Sequence, residues 1–210
     1  MTVADAATLP GDPQPPSGLP AERYGRSAST RARAAERTRE RLLDAGLRLA
    51  ERTGLASMSV NLLVAEADLS KGTFFHHFGD RAGYLLALHR GFHDRLLAEI
   101  EAARGSLPAG RERLLAGSTV YLDACLCARG VKALLLEARA ESLIATEVMR
   151  RNEQTAKLCE PDFRAIGWQR PAESGRLWVA MVAEVALAEL AAGRRQARIR
   201  RALEQFTDKC

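Results

Sequence analysis

The stretch SVNLLVAEADLSKGTFFHHF, residues 59–78, contains two short helical patterns separated by a tight turn. In the first half, apolar residues recur with helical spacing, and Ser59 stands where its side chain can cap the helix. In the second half, Ser70 can cap a helix over Lys71–His77. Two short helices joined by a turn and packed on longer helices form a helix-turn-helix.

The second of these helices concentrates aromatic side chains. The nine residues from Ser70 to Phe78 hold three of the chain's six phenylalanines and two of its four histidines. Helical geometry puts Phe74 and Phe78 on one face, where they can fill a small core. The opposite face carries Lys71, Gly72, Phe75 and His76. An exposed phenylalanine is unfavourable in water unless something covers it, and the major groove of DNA, with its thymine methyl groups, provides such a cover.

The rest of the chain is typical of an all-α protein, because alanine, leucine, arginine and glutamate dominate and strand-forming residues are few. A first helix is expected from about Thr30 to Arg52, and a long amphipathic helix from just after Asp80 to about Arg104. Further helices are expected at about 111–128, 131–158 and 173–206, and subdivision of the first two is an alternative. We expect three regions: a disordered leader with a basic arm at 1–29, a helix-turn-helix DNA-binding domain at 30–80, and a helical domain at 81–210.

The net charge of +5 is placed unevenly along the chain. The segment from Arg23 to Arg41 contains seven arginines and two glutamates, so it alone carries a formal charge of +5. Such an arm suggests a polyanionic partner, and a solvated tail is the alternative.

Residues Thr38–Leu88 resemble the N-terminal DNA-binding domain of the tetracycline-repressor (TetR) family of bacterial transcriptional regulators. The family motif ends in Ser-Lys-Gly-Thr-Leu-Tyr-His-Tyr-Phe, which this chain matches as Ser-Lys-Gly-Thr-Phe-Phe-His-His-Phe from Ser70. The resemblance implies a three-helix DNA-binding domain, a larger helical domain for effector binding and dimerisation, and a homodimer bound to a palindromic operator.

Carried over by position, the resemblance implies a DNA-binding surface. Ser59 caps the second helix and binds a phosphate, and Arg81 contacts the DNA backbone. The groove-facing residues of the third helix are Lys71, Gly72, Thr73, Phe75 and His76. His77 either donates to a phosphate or packs in the core. Arginines before Leu42, Arg39 among them, grip flanking phosphates or enter the minor groove.

Three positions depart from the family pattern. Phe75 replaces a usual tyrosine and so lacks a hydroxyl for a phosphate, which should weaken DNA binding by roughly 0.5–1.5 kcal/mol. Asp68 replaces a usual glycine in the turn, at some strain and with an added negative charge. Val64 replaces a usual alanine and implies slightly different helix packing.

The second half of the chain suggests a dimer and a cavity. The helix around Leu177–Ala192 is apolar nearly all round, so one face can fill a core and another can meet a second copy of the chain. A cavity for a small-molecule effector is one interpretation of the apolar residues here, and a filled core is the other. The candidate ligand-binding residues are Phe92, Tyr121, Cys125, Met149, Trp178 and Met181.

No metal or cofactor is predicted. His89 and His93 are four residues apart and could share a metal, but the sequence indicates no third ligand. Cys125 and Cys127 point about 200 degrees apart on a helix, so they cannot bind one metal without unwinding.

Enzyme activity is not expected, since the sequence shows no nucleophile elbow, phosphate-binding glycine loop or zinc-protease motif. No stretch suggests a signal peptide or a membrane span, so we expect a cytoplasmic protein. The predicted function is a DNA-binding transcriptional regulator, a repressor released from its operator by a small molecule. The alternative is a small-molecule binding or redox-sensing protein on the same scaffold with weakened DNA binding.

Overall fold

The computed structural model describes residues 21–208, with side chains from Thr30 onward. This part of the chain is all-helical and contains no strand, which confirms the predicted fold class. Its nine α-helices are α1 (Ala21–Ala50), α2 (Val60–Ala67), α3 (Lys71–Phe78), α4 (Arg81–Arg104), α5 (Arg111–Cys127), α6 (Arg129–Glu137), α7 (Ser142–Ala165), α8 (Pro171–Ala192) and α9 (Ala197–Gln205). Short 3-10 turns lie at Leu55–Ser57 and Ala138–Ala140.

The chain divides into two compact units, the first ending at Thr38 and the second beginning at Arg39. The second unit therefore contains both the helix-turn-helix and the helices that follow it. The predicted boundary between residues 80 and 81 stays a prediction. Most of the predicted leader, residues 1–20, lies outside the described residues. Of the helices that are described, none combines the length and the apolar character that a membrane crossing requires.

Three side-chain caps define the helix-turn-helix. Ser59 accepts a hydrogen bond from the Leu62 N–H at 3.2 Å, and Ser70 accepts one from the Thr73 N–H at 3.1 Å. At the start of α4, Asp80 accepts from the Gly83 N–H at 2.7 Å. Each cap satisfies a backbone donor that the first turn of a helix leaves open. The caps therefore fix where α2, α3 and α4 begin.

A first hydrophobic cluster holds α1 to α4 together. Leu42, Leu63, Phe74 and Leu85 are among its fully buried members. The cluster continues beyond α4, because it also includes Leu134 of α6, Ala138 of the following 3-10 turn and Ile144 of α7. The helix-turn-helix consequently shares its core with later helices of the same unit.

A second cluster joins α5, α7, α8 and α9. Its buried members include Leu122, Phe163, Trp178 and Leu203. A buried ion pair links the last two helices: Arg200 of α9 donates to Glu189 of α8 at 2.6 and 2.7 Å. Because both side chains are almost fully buried, the pair ties α9 to the cluster.

Helix boundaries differ from the sequence-based expectation in three places. The helix expected at 131–158 is divided into α6 and α7 by the 3-10 turn at Ala138–Ala140, and α7 continues to Ala165. The first helix begins at Ala21, nine residues before Thr30. The single helix expected at 173–206 is interrupted at Gly193, which adopts a left-handed conformation with φ of 64° and ends α8. Glycine takes this conformation without the steric penalty that other residues meet, which makes it a common helix terminator.

Candidate nucleic-acid interface and ligand cavity

Helix α3 presents a contiguous exposed face. Lys71, Gly72 and His76 are exposed, and Phe75 keeps 48% of its surface accessible. Thr73 is half-buried, and its hydroxyl lies 2.9 Å from that of Ser70. The structure thus brings the five predicted groove-facing residues together on one short helix.

The opposite face of α3 is anchored by aromatic packing. Phe74 is fully buried, and its ring lies 5.4 Å from Phe78 and 5.2 Å from Tyr84, centroid to centroid. Tyr84 donates its hydroxyl hydrogen to the Leu42 backbone oxygen at 2.8 Å, and burial raises the pKa of this phenol. These contacts fix the rotation of α3, and therefore which residues point outward.

The two arginines named as DNA-binding residues both have contacts within the protein. Arg81 donates to the backbone oxygens of Leu55 at 2.7 Å and Met58 at 3.2 Å, so it braces the segment before α2. Arg39 lies over the ring of Phe78, with its guanidinium carbon 5.7 Å from the centroid. Their predicted DNA contacts stay predictions.

His77 is half-buried at the edge of the α3 face. Its ring lies 5.4 Å from His76 and 6.2 Å from Phe78. Both interpretations of His77, as a phosphate donor and as a packing residue, are compatible with this position.

The arginines of α1 have different environments along its length. Arg33 and Arg37 are exposed. Farther on, Arg41 donates to the Ala67 backbone oxygen at 2.8 Å, and Arg48 pairs with Glu66 of α2 at 2.9 Å. The basic residues after Arg39 therefore hold α1 to α2.

A cavity of about 140 Å³ lies among α4, α5, α7 and α8. Of the six predicted ligand-binding residues, the structure places Tyr121 and Trp178 in its wall. Phe92 lines a separate groove with residues of α1 and α5. The other three predicted residues lie elsewhere: Cys125 is buried in the second cluster, Met181 packs against that cluster, and Met149 is 65% exposed.

Polar residues of the cavity wall were missed by sequence reasoning. Arg139, Arg151, Asn152 and Gln154 line it, and no sequence motif marks them. His89 and His93 also line it, and their four-residue spacing was the available signal. Their rings stack with centroids 4.1 Å apart.

The histidine pair is held in its neutral form. Burial lowers the pKa of His89 to about 4, with the Arg151 cation adding to the effect. Burial and the neighbouring His89 lower the pKa of His93 to about 3. The Nδ1 of His93 donates to the His89 backbone oxygen at 3.0 Å, whereas the Nδ1 of His89 is buried without a hydrogen-bond partner. No group of three or more metal-binding side chains occurs within residues 21–208.

The cysteines of the described chain are free thiols. Burial raises the pKa of Cys159 to about 11 and also raises that of Cys125. Since the thiolate is the reactive form, burial makes these two side chains poor redox centres, while Cys127 is exposed.

Known proteins resemble this chain in sequence over part of its length and in fold over most of it. Residues 42–88 match the family model described as bacterial regulatory proteins, tetR family. Over 83 residues the chain is 30% identical to the HTH-type transcriptional repressor NemR of Escherichia coli K12, and this match covers 38% of this chain and 40% of that repressor. The chain therefore spans less than half of the length of this curated relative.

Solved structures show the same fold over most of the chain. A transcriptional regulator from Rhodococcus sp. RHA1 gives a TM-score of 0.70 at 23% identity, over 80% of this chain and 93% of that one. A tetR-family regulator from Rhodococcus sp. gives 0.70 at 20% identity, over 82% and 97%. The multidrug binding protein EbrR, solved with imidazole, gives 0.63 at 20% identity, over 82% and 96%.

Proposed function

We propose that this member of the tetR family of bacterial regulatory proteins is a transcriptional repressor that binds operator DNA through α3 and releases it when a small molecule fills the cavity. The observation that carries the proposal is the outward face of α3, where Phe75 is 48% exposed beside Lys71 while Phe74 is fully buried behind it. A solvent-facing phenylalanine next to a cation suits a helix that lies in a DNA groove.

Three residues of this face have distinct roles in the proposed complex. The backbone of Gly72 can approach the DNA closely, because the residue has no side chain. Packing within the protein does not require a glycine here, since a Cβ at this position would lie 3.7 Å from the Ser70 hydroxyl, an ordinary contact distance. Lys71 lies in the first turn of α3, where its ammonium group and the backbone N–H groups attract a phosphate. Phe75 contacts a thymine methyl group.

The proposed repressor works as a homodimer. Two recognition helices must be about 34–36 Å apart to enter successive major grooves, so two copies of the chain have to be joined rigidly. Leu177 of α8 is 63% exposed, Leu143 of α7 52% and Phe206, directly after α9, 53%. Apolar side chains left exposed on the later helices supply surface that a second copy can cover.

The cavity is coupled to α3 through α4. This helix begins after the Asp80 cap, directly after α3 in the sequence. Six of its residues between His89 and Arg104 line the cavity. Three ion pairs connect α4 with α7: Arg90 to Glu147 at 3.1 Å, Arg151 to Asp94 at 2.7 Å, and Arg104 to Asp162 at 2.9 Å. A ligand that moves α7 against α4 would therefore change the spacing of the two recognition helices in the dimer. In this mechanism the ligand shifts the population from the DNA-binding conformation to one with a different spacing.

The test uses the full chain and DNA fragments selected by it from bacterial genomic DNA. In fluorescence anisotropy, Phe75→Ala and Lys71→Ala should each weaken operator binding about tenfold, since base and phosphate contacts contribute roughly 1–3 kcal/mol each. Affinity should also fall steeply with salt.

Lys157→Ala is the matched control, because Lys157 is exposed on α7 and pairs with Glu153 there. It should bind the operator as the unmodified chain does. Unchanged binding by both α3 variants would refute α3 as the recognition helix, and selection of no DNA by a folded chain would favour the alternative of a small-molecule binding protein.

A further inference from the structure

We infer that the cavity binds a compact apolar molecule carrying one anionic group, a small carboxylate of about the size of benzoate. The inference rests on the proposed function only in naming this molecule as the effector. Binding itself requires no DNA, so the two proposals can fail separately.

In the part of the chain that the structure describes, the wall of the cavity contains cations but no anion. It contains the side chains of Arg104, Arg139 and Arg151 together with His89 and His93, and no aspartate or glutamate among the described residues. Arg104 and Arg151 are held from behind by Asp162 and Glu147, carboxylates that are not part of the wall. A ligand therefore meets cations and no competing anion.

Arg139 is the cation in this wall with no counter-ion. It is exposed, and among the side chains described from Thr30 onward it has no hydrogen-bond or ion-pair partner. A guanidinium offers five N–H donors in a fork that matches a carboxylate, and such charge-assisted pairs are the strong hydrogen bonds of proteins. Arg139 can thus supply the charge that holds the anionic group.

A buried lysine behind the wall adds positive charge. Lys132 is 4% exposed and donates to the hydroxyl oxygen of Tyr121 at 2.9 Å. The Tyr121 hydroxyl also makes a side-chain hydrogen bond with Cys125, so the lysine, the phenol and the thiol form one buried network beside the cavity. No carboxylate pairs with Lys132 among the described residues, so its positive charge also acts on the cavity.

His89 adds an unpartnered polar nitrogen to the residues that line the cavity. His89 is 2% exposed, and its buried Nδ1 has no hydrogen-bond partner. The cations Arg151, Lys132 and Arg139 are all close enough to lower the pKa of His89 further. A buried polar atom without a partner is unfavourable and is uncommon in a filled core. The neutral imidazoles offer a hydrogen-bonding surface that adds no negative charge.

The remaining wall fixes the size and polarity of the rest of the ligand. Leu96, Leu114, Trp178 and Val182 form an apolar side. The volume of about 140 Å³ is close to that of an engineered cavity that accepts benzene. An aromatic acid would place its ring against these apolar side chains and its carboxylate toward Arg139.

Isothermal titration calorimetry of the full chain without DNA tests whether the cavity prefers an anion. It uses three ligands of similar shape that differ in charge. Benzoate should bind at least about tenfold more tightly than neutral benzamide, which corresponds to one charge-assisted interaction. Cationic benzylamine should not bind measurably. Equal binding of benzoate and benzamide, tighter binding of benzylamine, or binding of none of the three would overturn the inference.

Two variants assign the site. Arg139→Gln should weaken benzoate binding about tenfold and leave benzamide binding unchanged. Arg164→Gln, which removes an exposed arginine of α7 outside the cavity wall, should leave both unchanged. Unfolding curves measured alongside establish that both variants are folded; a folded Arg139→Gln variant with unaltered benzoate binding would refute the assignment.

The link to DNA is read separately. If benzoate binds and operator affinity is unaffected, the anion site stands and the proposed release mechanism fails. If operator binding depends on α3 but no carboxylate binds, the repressor proposal stands and the anion site fails.

Discussion

A single strained residue closes the turn between α2 and α3. Asp68 adopts the left-handed conformation, with φ of 51° and ψ of 56°, and is the non-glycine residue with positive φ in the described chain. The conformation lets the Leu69 N–H reach the Val64 oxygen at 2.9 Å, and Arg41 donates to the preceding Ala67 oxygen at 2.8 Å. Residues with a Cβ adopt this region at a cost, although aspartate tolerates it better than most.

Replacing Asp68 therefore tests the strain directly. Asp68→Gly should raise the free energy of unfolding by about 0.5 kcal/mol, because relief of the Cβ clash outweighs the greater flexibility of glycine in the unfolded chain. Asp68→Ala should lower it, since alanine retains the clash and lacks the local polar side chain. Urea denaturation of the three proteins measures both changes, and an alanine variant as stable as the glycine variant would contradict the explanation.

At the scale of helices, α7 and α8 approach each other closely. Gly175 of α8 is buried, and a Cβ atom built there would lie 2.5 Å from the backbone oxygen of Ala156 in α7. The backbone cannot yield to such a contact as a flexible side chain could, so the two helices would have to separate. Gly91, inside α4, is a useful contrast, because a Cβ there would meet only a methyl group of Leu43 at 3.9 Å.

The two glycines predict opposite effects of the same substitution. Gly175→Ala should lower the free energy of unfolding by about 1–3 kcal/mol through overpacking. Gly91→Ala should raise it by about 0.5–1 kcal/mol, because alanine is the better helix former and fits without a clash. Thermal and urea unfolding check both values; a loss of stability in the Gly91 variant would show that helix propensity does not dominate there.

The sequence predicted local features well, because these depend on neighbouring residues. The caps at Ser59 and Ser70 are confirmed, and so is the burial of Phe74 behind an exposed Phe75. These features follow from the 3.6-residue period and from the donors that a helix start leaves open.

Features that depend on how separate helices pack could not be predicted in this way. Met149 was a candidate for the cavity but is 65% exposed, whereas Arg151 of the same helix lines it. The inward side of α7 includes Glu147, whose buried carboxylate is bound by Arg90, Arg150 and Arg151. Hydropathy does not foresee a buried ion network, because charged residues are ordinarily assigned to the surface.

For the whole molecule, the buried histidine pair links folding to protonation. The imidazoles of His89 and His93 face each other and are surrounded by Arg139, Arg151, Lys132 and the carboxylate of Glu147. Burial lowers the pKa of His89 to about 4 and that of His93 to about 3. In the unfolded chain both return to an ordinary value of about 6.5. Between pH 6.5 and 4 the unfolded chain therefore binds protons that the folded chain does not.

The free energy of unfolding should consequently fall as the pH is lowered from 7 to 5, by up to about 1.4 kcal/mol per pH unit for each proton taken up. His89→Phe keeps a flat ring against His93 but removes one titrating group, so its unfolding free energy should fall less steeply over the same range. His76→Gln, which changes an exposed histidine of α3, should retain the steep dependence of the unmodified protein. Urea denaturation in half-unit steps of pH provides the slopes; equal slopes for His89→Phe and the unmodified protein would mean that His89 takes up its proton in the folded state too, and that burial does not hold it neutral.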